Sequence, residues 1–343
     1  MTLQDAFLDQ AGHCARLGSP FMEVLLTTLA ENWHSALPLA PRLSAWEGDI
    51  GPAGASLPLR LAGGLHALVL SGQDEALAAQ YPPNSPTALW PAVEAALNTH
   101  ATFFEAWMDN APQTNEVRRS AALIAIGQML AARFDLPLRL SELGASGGLN
   151  LMFDKFALAL PDAHYGPESA RVTLAPDWSG PLPPKATLTV SERRGVDLNP
   201  LNPSDAEDAL RLLAYLWPDQ PERLSRTRAA IALNEVQLDR SDAIDWLEER
   251  ISAPQDGTLH LVYSTVAWQY FPAKAQARGK RLMEAAGARA TNEAPLAWFS
   301  MENDGAADGA ALTLRLWPGN HSIEIGRADF HGRWVSLTTA ALP

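Results

Sequence analysis

Apolar positions recur at three- and four-residue steps through most of residues 1 to 135, the spacing of one face of an α-helix. Phe21-Met22-Glu23-Val24-Leu25-Leu26 follows Ser19-Pro20, a serine N-cap with proline at the first helical position. Trp90 to Trp107 repeats the pattern with Val93, Leu97 and Phe104, and Asn115 to Phe134 does so with Leu123, Ile126 and Leu130. Only Leu65 to Leu70 reads as a candidate strand in this half. Residues 1 to 135 therefore predict an all-helical domain or cap.

The pattern changes at Leu138-Arg139-Leu140-Ser141-Glu142-Leu143, which is short, alternating and apolar. Further strand candidates are Ala186 to Val190, Leu259 to Ser264 and Leu296 to Met301, with Leu312 to Trp317 and Trp334 to Leu337 as a closing antiparallel pair. Helical patterns lie between them at 206–217, 221–233, 243–251 and 273–286. Strands alternating with helices predict an α/β domain over 136–343, a mainly parallel sheet with Leu140–Leu143 central. The N-terminal helices are expected at the carboxyl ends of its strands. Prolines and small residues between Pro161 and Pro184 suggest a long irregular insertion.

Composition narrows the functions. The 343 residues carry 26 Lys and Arg against 39 Asp and Glu, a formal charge of −13. A nucleic-acid or anionic-membrane partner needs clustered positive charge, and the one dense basic stretch, Lys274 to Arg289, is interrupted by Ala and Gly. The partner expected is a small molecule; nothing in the pattern indicates an oligomeric state. A single cysteine, Cys14, excludes a disulfide framework and thiolate metal sites. There is no His-Glu-x-x-His, no close His/Asp cluster and no phosphate loop, so no metal is expected. No apolar run approaches 18 residues, and no basic segment followed by a hydrophobic one opens the chain, which points to a cytoplasmic protein.

The candidate chemistry centres on Glu142-Leu143-Gly144-Ala145-Ser146-Gly147-Gly148-Leu149-Asn150, where a strand runs into a glycine turn and an expected helix. Glycines let the backbone turn tightly and approach a ligand closely. The segment matches the acid-x-Gly-x-Gly-x-Gly turn of S-adenosylmethionine-dependent methyltransferases, with Ser146 at the middle glycine. It also matches Gly-x-Ser-x-Gly, the nucleophile elbow of α/β-hydrolases, with Ser146 as nucleophile. A glycine-rich connection without a ligand is the plain structural alternative. The hydrolase needs several strands and an oxyanion loop before its elbow, and about 135 mostly helical residues precede this one. His321 and His331 fit the triad only by order, among eight histidines. A nicotinamide-binding turn is disfavoured because Glu142 would repel a pyrophosphate.

Three later segments are similar to methyltransferase motifs in the order that fold requires. Gly195-Val196-Asp197-Leu198-Asn199-Pro200 resembles the end of the second strand, which implies Asp197 on the ribose hydroxyls. Asp239-Arg240-Ser241-Asp242-Ala243 resembles the third strand and its Asp-Ala turn, which implies Asp242 and Ala243 at the adenine; Asp242 is equally a helix cap. Leu261 to Pro272 is similar to the fourth strand, whose end, with Ser264, lines the methyl-transfer site. The resemblance places Glu142 at the methionine end and Gly144, Ala145, Ser146, Gly148 and Asn150 beneath the cofactor. Gly148 and Asp197 stand much further apart than the roughly 20 residues usual between glycine turn and ribose acid. The 161–184 insertion must therefore loop out.

Gln113-Thr114-Asn115-Glu116-Val117-Arg118-Arg119-Ser120, Glu142 to Leu151, Gly195 to Leu201 and Trp217-Pro218 together resemble a bacterial family of unknown function, DUF2332. That resemblance runs over nearly the whole chain and implies a methyltransferase-type Rossmann domain with a helical N-terminal extension. The expected activity is methyl transfer from S-adenosylmethionine to a small molecule. A non-catalytic ligand-binding or scaffold protein on the same fold is the first alternative and the hydrolase the second. Glu116 and Tyr270 are candidates to orient or deprotonate the acceptor, Arg118 to neutralise an acceptor carboxylate, and Asn115 and Trp268 to complete its pocket. Each has a plainer structural counterpart: Glu116 as a helix cap, and Trp268 and Tyr270 as core packing.

Overall fold

A computed structural model of the chain describes residues 1–52, 54–306 and 308–343. Its helices are α1 (Leu3–Arg16), α2 (Pro20–Asn32), α3 (Ala40–Ser44), α4 (Leu57–Leu70), α5 (Glu75–Ala78), α6 (Leu89–Thr99), α7 (Ala101–Trp107), α8 (Ser120–Phe134), α9 (Ala206–Ala214), α10 (Pro221–Leu233), α11 (Ala243–Arg250) and α12 (Ala273–Gly287). Two compact units emerge: 1–114 with 205–228, and 115–204 with 229–343.

The first unit is helical. Thr2 and Asp5 form a reciprocal capping box at α1, and Ser19 with Pro20 opens α2. Asp219, from the later segment, accepts hydrogen bonds from Ser19 Oγ at 2.6 Å and the Phe21 amide at 2.9 Å. Phe7, Leu25, Leu29, Leu61, Leu65 and Phe104 form its core with Trp217. Leu65–Leu70, a strand candidate by sequence, is the last part of α4: Pro58 opens that helix and Gly63 fits against Tyr215.

The second unit is a nine-stranded mixed sheet. Its strands are β1 (Leu138–Leu143), β2 (Ala157–Leu160), β3 (Ala163–Tyr165), β4 (Thr173–Leu174), β5 (Asp177–Ser179), β6 (Val190–Asp197), β7 (Leu238–Arg240), β8 (Leu259–Thr265), β9 (Leu296–Glu302), β10 (Ala310–Trp317), β11 (His321–Ala328) and β12 (Trp334–Leu337). The order is β5-β12-β11-β10-β9-β8-β1-β6-β7, with β2, β3 and β4 in a separate small sheet. Strands β7, β6, β1, β8 and β9 are parallel. An antiparallel run follows through β10, β11 and β12. Among the described residues no strand precedes β1.

Several elements differ from the sequence reading. Residues 186–189 are irregular and the strand next to β1 starts at Val190. Its core, Ser191-Glu192-Arg193-Arg194, hides the apolar alternation because its charges are paired: Arg139 with Glu192, Arg193 with Asp154 and Arg194 with Asp239. The 161–184 segment is not merely irregular; it supplies β3, β4 and β5. Helix α8, grouped by sequence with the helical half, is buried on nearly every side in the core of the sheet unit with Leu138, Leu140 and Phe153. A 3-10 turn at 149–155, rather than an α-helix, follows the glycine turn.

Leu140 is fully buried, whereas Leu198 is 72% exposed. Leu140→Ala is expected to lower the free energy of unfolding by about 2–5 kcal/mol, and Leu198→Ala to change it by no more than about 0.5 kcal/mol, both read by chemical denaturation.

Candidate functional site

In the chain's path β1 is followed on one side by β6 and β7, and on the other by β8 and β9. The direction of strand addition therefore reverses between β1 and β8, and in open parallel sheets ligands bind at the carboxyl ends of the strands at that reversal. β1 ends there in Glu142 and Leu143, and β8 in Ser264 and Thr265.

The glycine turn leaves β1 through three left-handed residues: Gly144 (φ +73°), Ser146 (+54°) and Gly148 (+71°). A side chain at 144 would meet Ala267 Cβ at 2.5 Å, so glycine there admits the loop after β8. The amides of Gly144 and Ala145 both donate to Val196 O at 3.0 Å, and that of Gly148 donates to Ala145 O at 2.8 Å. The Ser146 amide donates to Asp197 Oδ2 at 2.9 Å, and the Asn199 amide to Asp197 Oδ1 at 2.9 Å. Parallel pairing of β6 with β1, Glu142 opposite Gly195 and Leu143 opposite Val196, brings Asp197 to the turn despite the long intervening sequence.

The Asn115–Ser120 segment clamps the far side of this turn. Asn115 Oδ1 accepts the Leu149 amide at 2.8 Å, Asn150 Nδ2 donates to Glu116 O at 3.3 Å, and Ser120 Oγ donates to Asn150 Oδ1 at 2.6 Å. Glu116 is buried and caps the 3-10 turn at 117–119 through the Arg118 amide, with Arg118 Nε 3.9 Å from its Oε1. Arg119 reaches across to donate to Thr265 O at 2.9 Å and Phe330 O at 2.8 Å. Asn115, Glu116, Arg118, Glu142, Gly144, Ala145, Ser146, Gly148, Asn150 and Asp197 thus belong to one connected region.

Its electrostatic centre is Glu142. Burial pushes this carboxyl well above its ordinary range, with Arg119 opposing that shift and Asp197 adding to it. Its cross-strand neighbour is Tyr263 of β8, also fully buried, whose hydroxyl is pushed up by burial and by Glu142. On the β8 side Val266 adopts φ +55°, an outlying conformation for a β-branched residue. Its amide donates to Met301 O at 2.8 Å. Glu302, at the end of β9, fixes the same loop by accepting the amides of Ala267 (3.1 Å), Trp268 (3.0 Å) and Gln269 (3.3 Å).

The family model known as DUF2332, described as an uncharacterized protein conserved in bacteria, matches residues 4–337. The chain belongs to this family. No curated protein and no solved structure matches it.

The other candidates in this DUF2332 chain have local roles of their own. Asp242 caps α11, accepting the Ile244 and Asp245 amides at 2.8 and 3.1 Å, and Ala243 is the first residue of that helix. Trp268 is buried against Trp298 and Phe271, with ring centroids 5.1 and 5.4 Å away, which makes it a packing residue and not a pocket rim. Tyr270 is 74% exposed. Ser264 is fully buried at the end of β8. Among the described residues no helix is long and apolar enough to cross a membrane. No group of three or more His, Cys, Asp or Glu among them is placed to hold a metal ion.

Sequence reasoning missed Tyr263 and Glu302. The second had a signal: one charged residue ending the otherwise apolar run Leu296 to Met301. For Glu142 the pH consequence is directional. Because burial raises this carboxyl above the unfolded value of 4.5, the contribution of Glu142 to stability is full below that pH and is lost as pH rises above it. Glu142→Gln, a neutral isostere, is expected to raise Tm at pH 8 by roughly 2–4 °C per kcal/mol recovered, with the gain vanishing near pH 4. Scanning calorimetry across pH 4–8 reads this.

Proposed function

We propose that the region around the glycine turn binds S-adenosylmethionine and that the protein transfers its methyl group to a small molecule. The observation that carries this reading is the Asp197 carboxylate, held against the Ser146 amide at the end of the strand neighbouring β1. A carboxylate accepts about four hydrogen bonds, so ribose hydroxyls can share it with backbone amides. The strand order supports the reading: the glycine turn leaves the first strand of the sheet, the acid leaves the next, and the reversal lies between β1 and β8.

When bound, the cofactor supplies an electrophilic methyl group on a sulfonium. The residues present suit such a group. Glu142 offers a buried carboxyl that can ionise to meet a cation, and the turn's amides are occupied within the protein, which suits an uncharged nucleoside better than a pyrophosphate. Transfer to a nucleophile needs chiefly alignment and exclusion of water. Arg118 is assigned to an acceptor carboxylate, with the buried Glu116 beside it as the residue that positions its guanidinium. Tyr270 is assigned to the solvent side of the acceptor.

Ligand binding without chemistry is a second reading, favoured by the close packing of the turn: Ala267 against Gly144 and Leu238 against Gly148. The hydrolase is not favoured. Ser146 has the strained backbone of an elbow, but its buried hydroxyl has no hydrogen-bond partner. A hydroxyl–imidazole pair is found instead between Ser141 Oγ and His260 Nε2 at 2.8 Å, on the other face of the sheet.

Titration calorimetry with S-adenosylmethionine and S-adenosylhomocysteine tests the proposal. Binding by either is expected, weakened about 10- to 100-fold in Asp197→Ala, since hydrogen bonds to a charged group contribute roughly 1.5–3 kcal/mol and about 1.4 kcal/mol is tenfold. Absence of heat from both ligands on the wild type would refute it.

A further inference from the structure

The face of the sheet opposite Glu142 carries a second concentration of charge. Side chains alternate along β1, so Arg139 and Ser141 share the face of Leu143, which packs against Trp246 and Leu247 of α11. A cavity of about 490 Å³ opens on this face, lined by Arg139 of β1, Arg194 of β6, Arg240 of β7 and Arg250 of α11, together with Asp239 and Trp246. Four arginines lining one cavity run against the composition of a chain with 39 acidic and 26 basic residues.

Two of the three nearby carboxylates, Glu192 and Asp239, are already engaged; the third is Glu249. Glu192 accepts from Arg139 at 2.8 Å and from Arg250 at 2.7 Å, so one negative charge serves two cations. Asp239 accepts from Trp246 Nε1 at 2.6 Å and from Arg194. Arg250 has only 5% of its side chain exposed and is fixed by donating Nε to Ser141 Oγ at 3.0 Å. Burial lowers its proton affinity, and Arg139 and Arg194 add to that by repulsion. The side chain of Arg240, exposed at the end of β7, makes no hydrogen bond or ion pair with any described residue. Four arginines from four elements thus face three carboxylates, Glu192, Asp239 and Glu249, which leaves the cavity with a net positive charge.

We propose that this cavity binds a phosphate group carried by a small molecule. A tetrahedral dianion accepts guanidinium donors from several directions at once, whereas one planar carboxylate is satisfied by a single fork. Asp239, and Glu249 also in the lining, limit the site to a compact group and exclude a polyanionic strand. The inference does not rest on the methyltransferase reading: none of its residues is assigned to the cofactor, although Arg240 stands opposite Asp197 in the pairing of β7 with β6.

The test is calorimetric titration of the full chain with inorganic phosphate, with succinate and chloride at matched ionic strength as comparisons. Phosphate is expected to bind at one site per chain, and Arg240→Ala and Arg194→Ala each to weaken it at least tenfold. Both variants should keep wild-type thermal stability in chloride. Phosphate binding no stronger than chloride, succinate binding as tightly as phosphate, or phosphate affinity unchanged in both variants would each overturn the proposal.

Discussion

Strand β1 is hydrogen-bonded in parallel register on both edges, to β6 and to β8. A strand satisfied on both sides has no freedom to fray or slip, because a one-residue shift would turn every side chain to the wrong face. Leu138, Leu140 and Glu142 are thereby committed to the α8 side, and Arg139, Ser141 and Leu143 to the α11 side. The chain can leave β1 only by a sharp reversal between two parallel neighbours. Ser146 and Val266, non-glycine residues in left-handed conformations, lie in the loops that leave β1 and β8. Each such residue costs of order 1–3 kcal/mol and persists only where its surroundings over-determine it. Asp197 on the Ser146 amide and Glu302 on three amides of the β8 loop provide that restraint.

How much of this the sequence discloses depends on whether a residue's partner is local. The glycine turn, Asp197 and β1, β8 and β9 are legible because turn chemistry and apolar runs are local signals. Strand β6 was misplaced by several residues, since Glu192, Arg193 and Arg194 find their counter-charges on Arg139, Asp154 and Asp239, which are distant in sequence. Helix α8 reads correctly as a helix, but its sequence does not say that its burial is against a sheet. The Asn115–Leu149 and Asn150–Glu116 bonds join the two most distinctive segments of the sequence. Their motif character suggested ligand contacts, and in the structure the side chain of Asn115 accepts the Leu149 amide while that of Asn150 donates to the Glu116 carbonyl. Trp268 is open to two readings by sequence, pocket wall or core packing, and it is buried, with Gly279 leaving room for its ring.

The two faces of β1 use charge differently. On one, the buried carboxyl of Glu142 is pushed well above its ordinary range by burial beside Tyr263, while Asp154 pairs with Arg193. On the other, guanidiniums outnumber the carboxylates they pair with, and His260 stays neutral through burial and the neighbouring Arg139 and Arg250. A net charge of −13 conveys neither arrangement. What the fold does is hold two differently charged environments within one unit: a region at the strand ends built around Glu142 and Asp197, and an arginine-lined cavity beside α11.

The central claim is that the carboxyl ends of β1 and β6 hold an adenosyl group. A crystal structure with S-adenosylhomocysteine measures this most directly. The account predicts the ribose hydroxyls within hydrogen-bond distance of the Asp197 carboxylate, and the ligand's amino group directed toward Glu142. Density for the ligand at any other place, or an Asp197 carboxylate contacted only by protein groups in the complex, would contradict it.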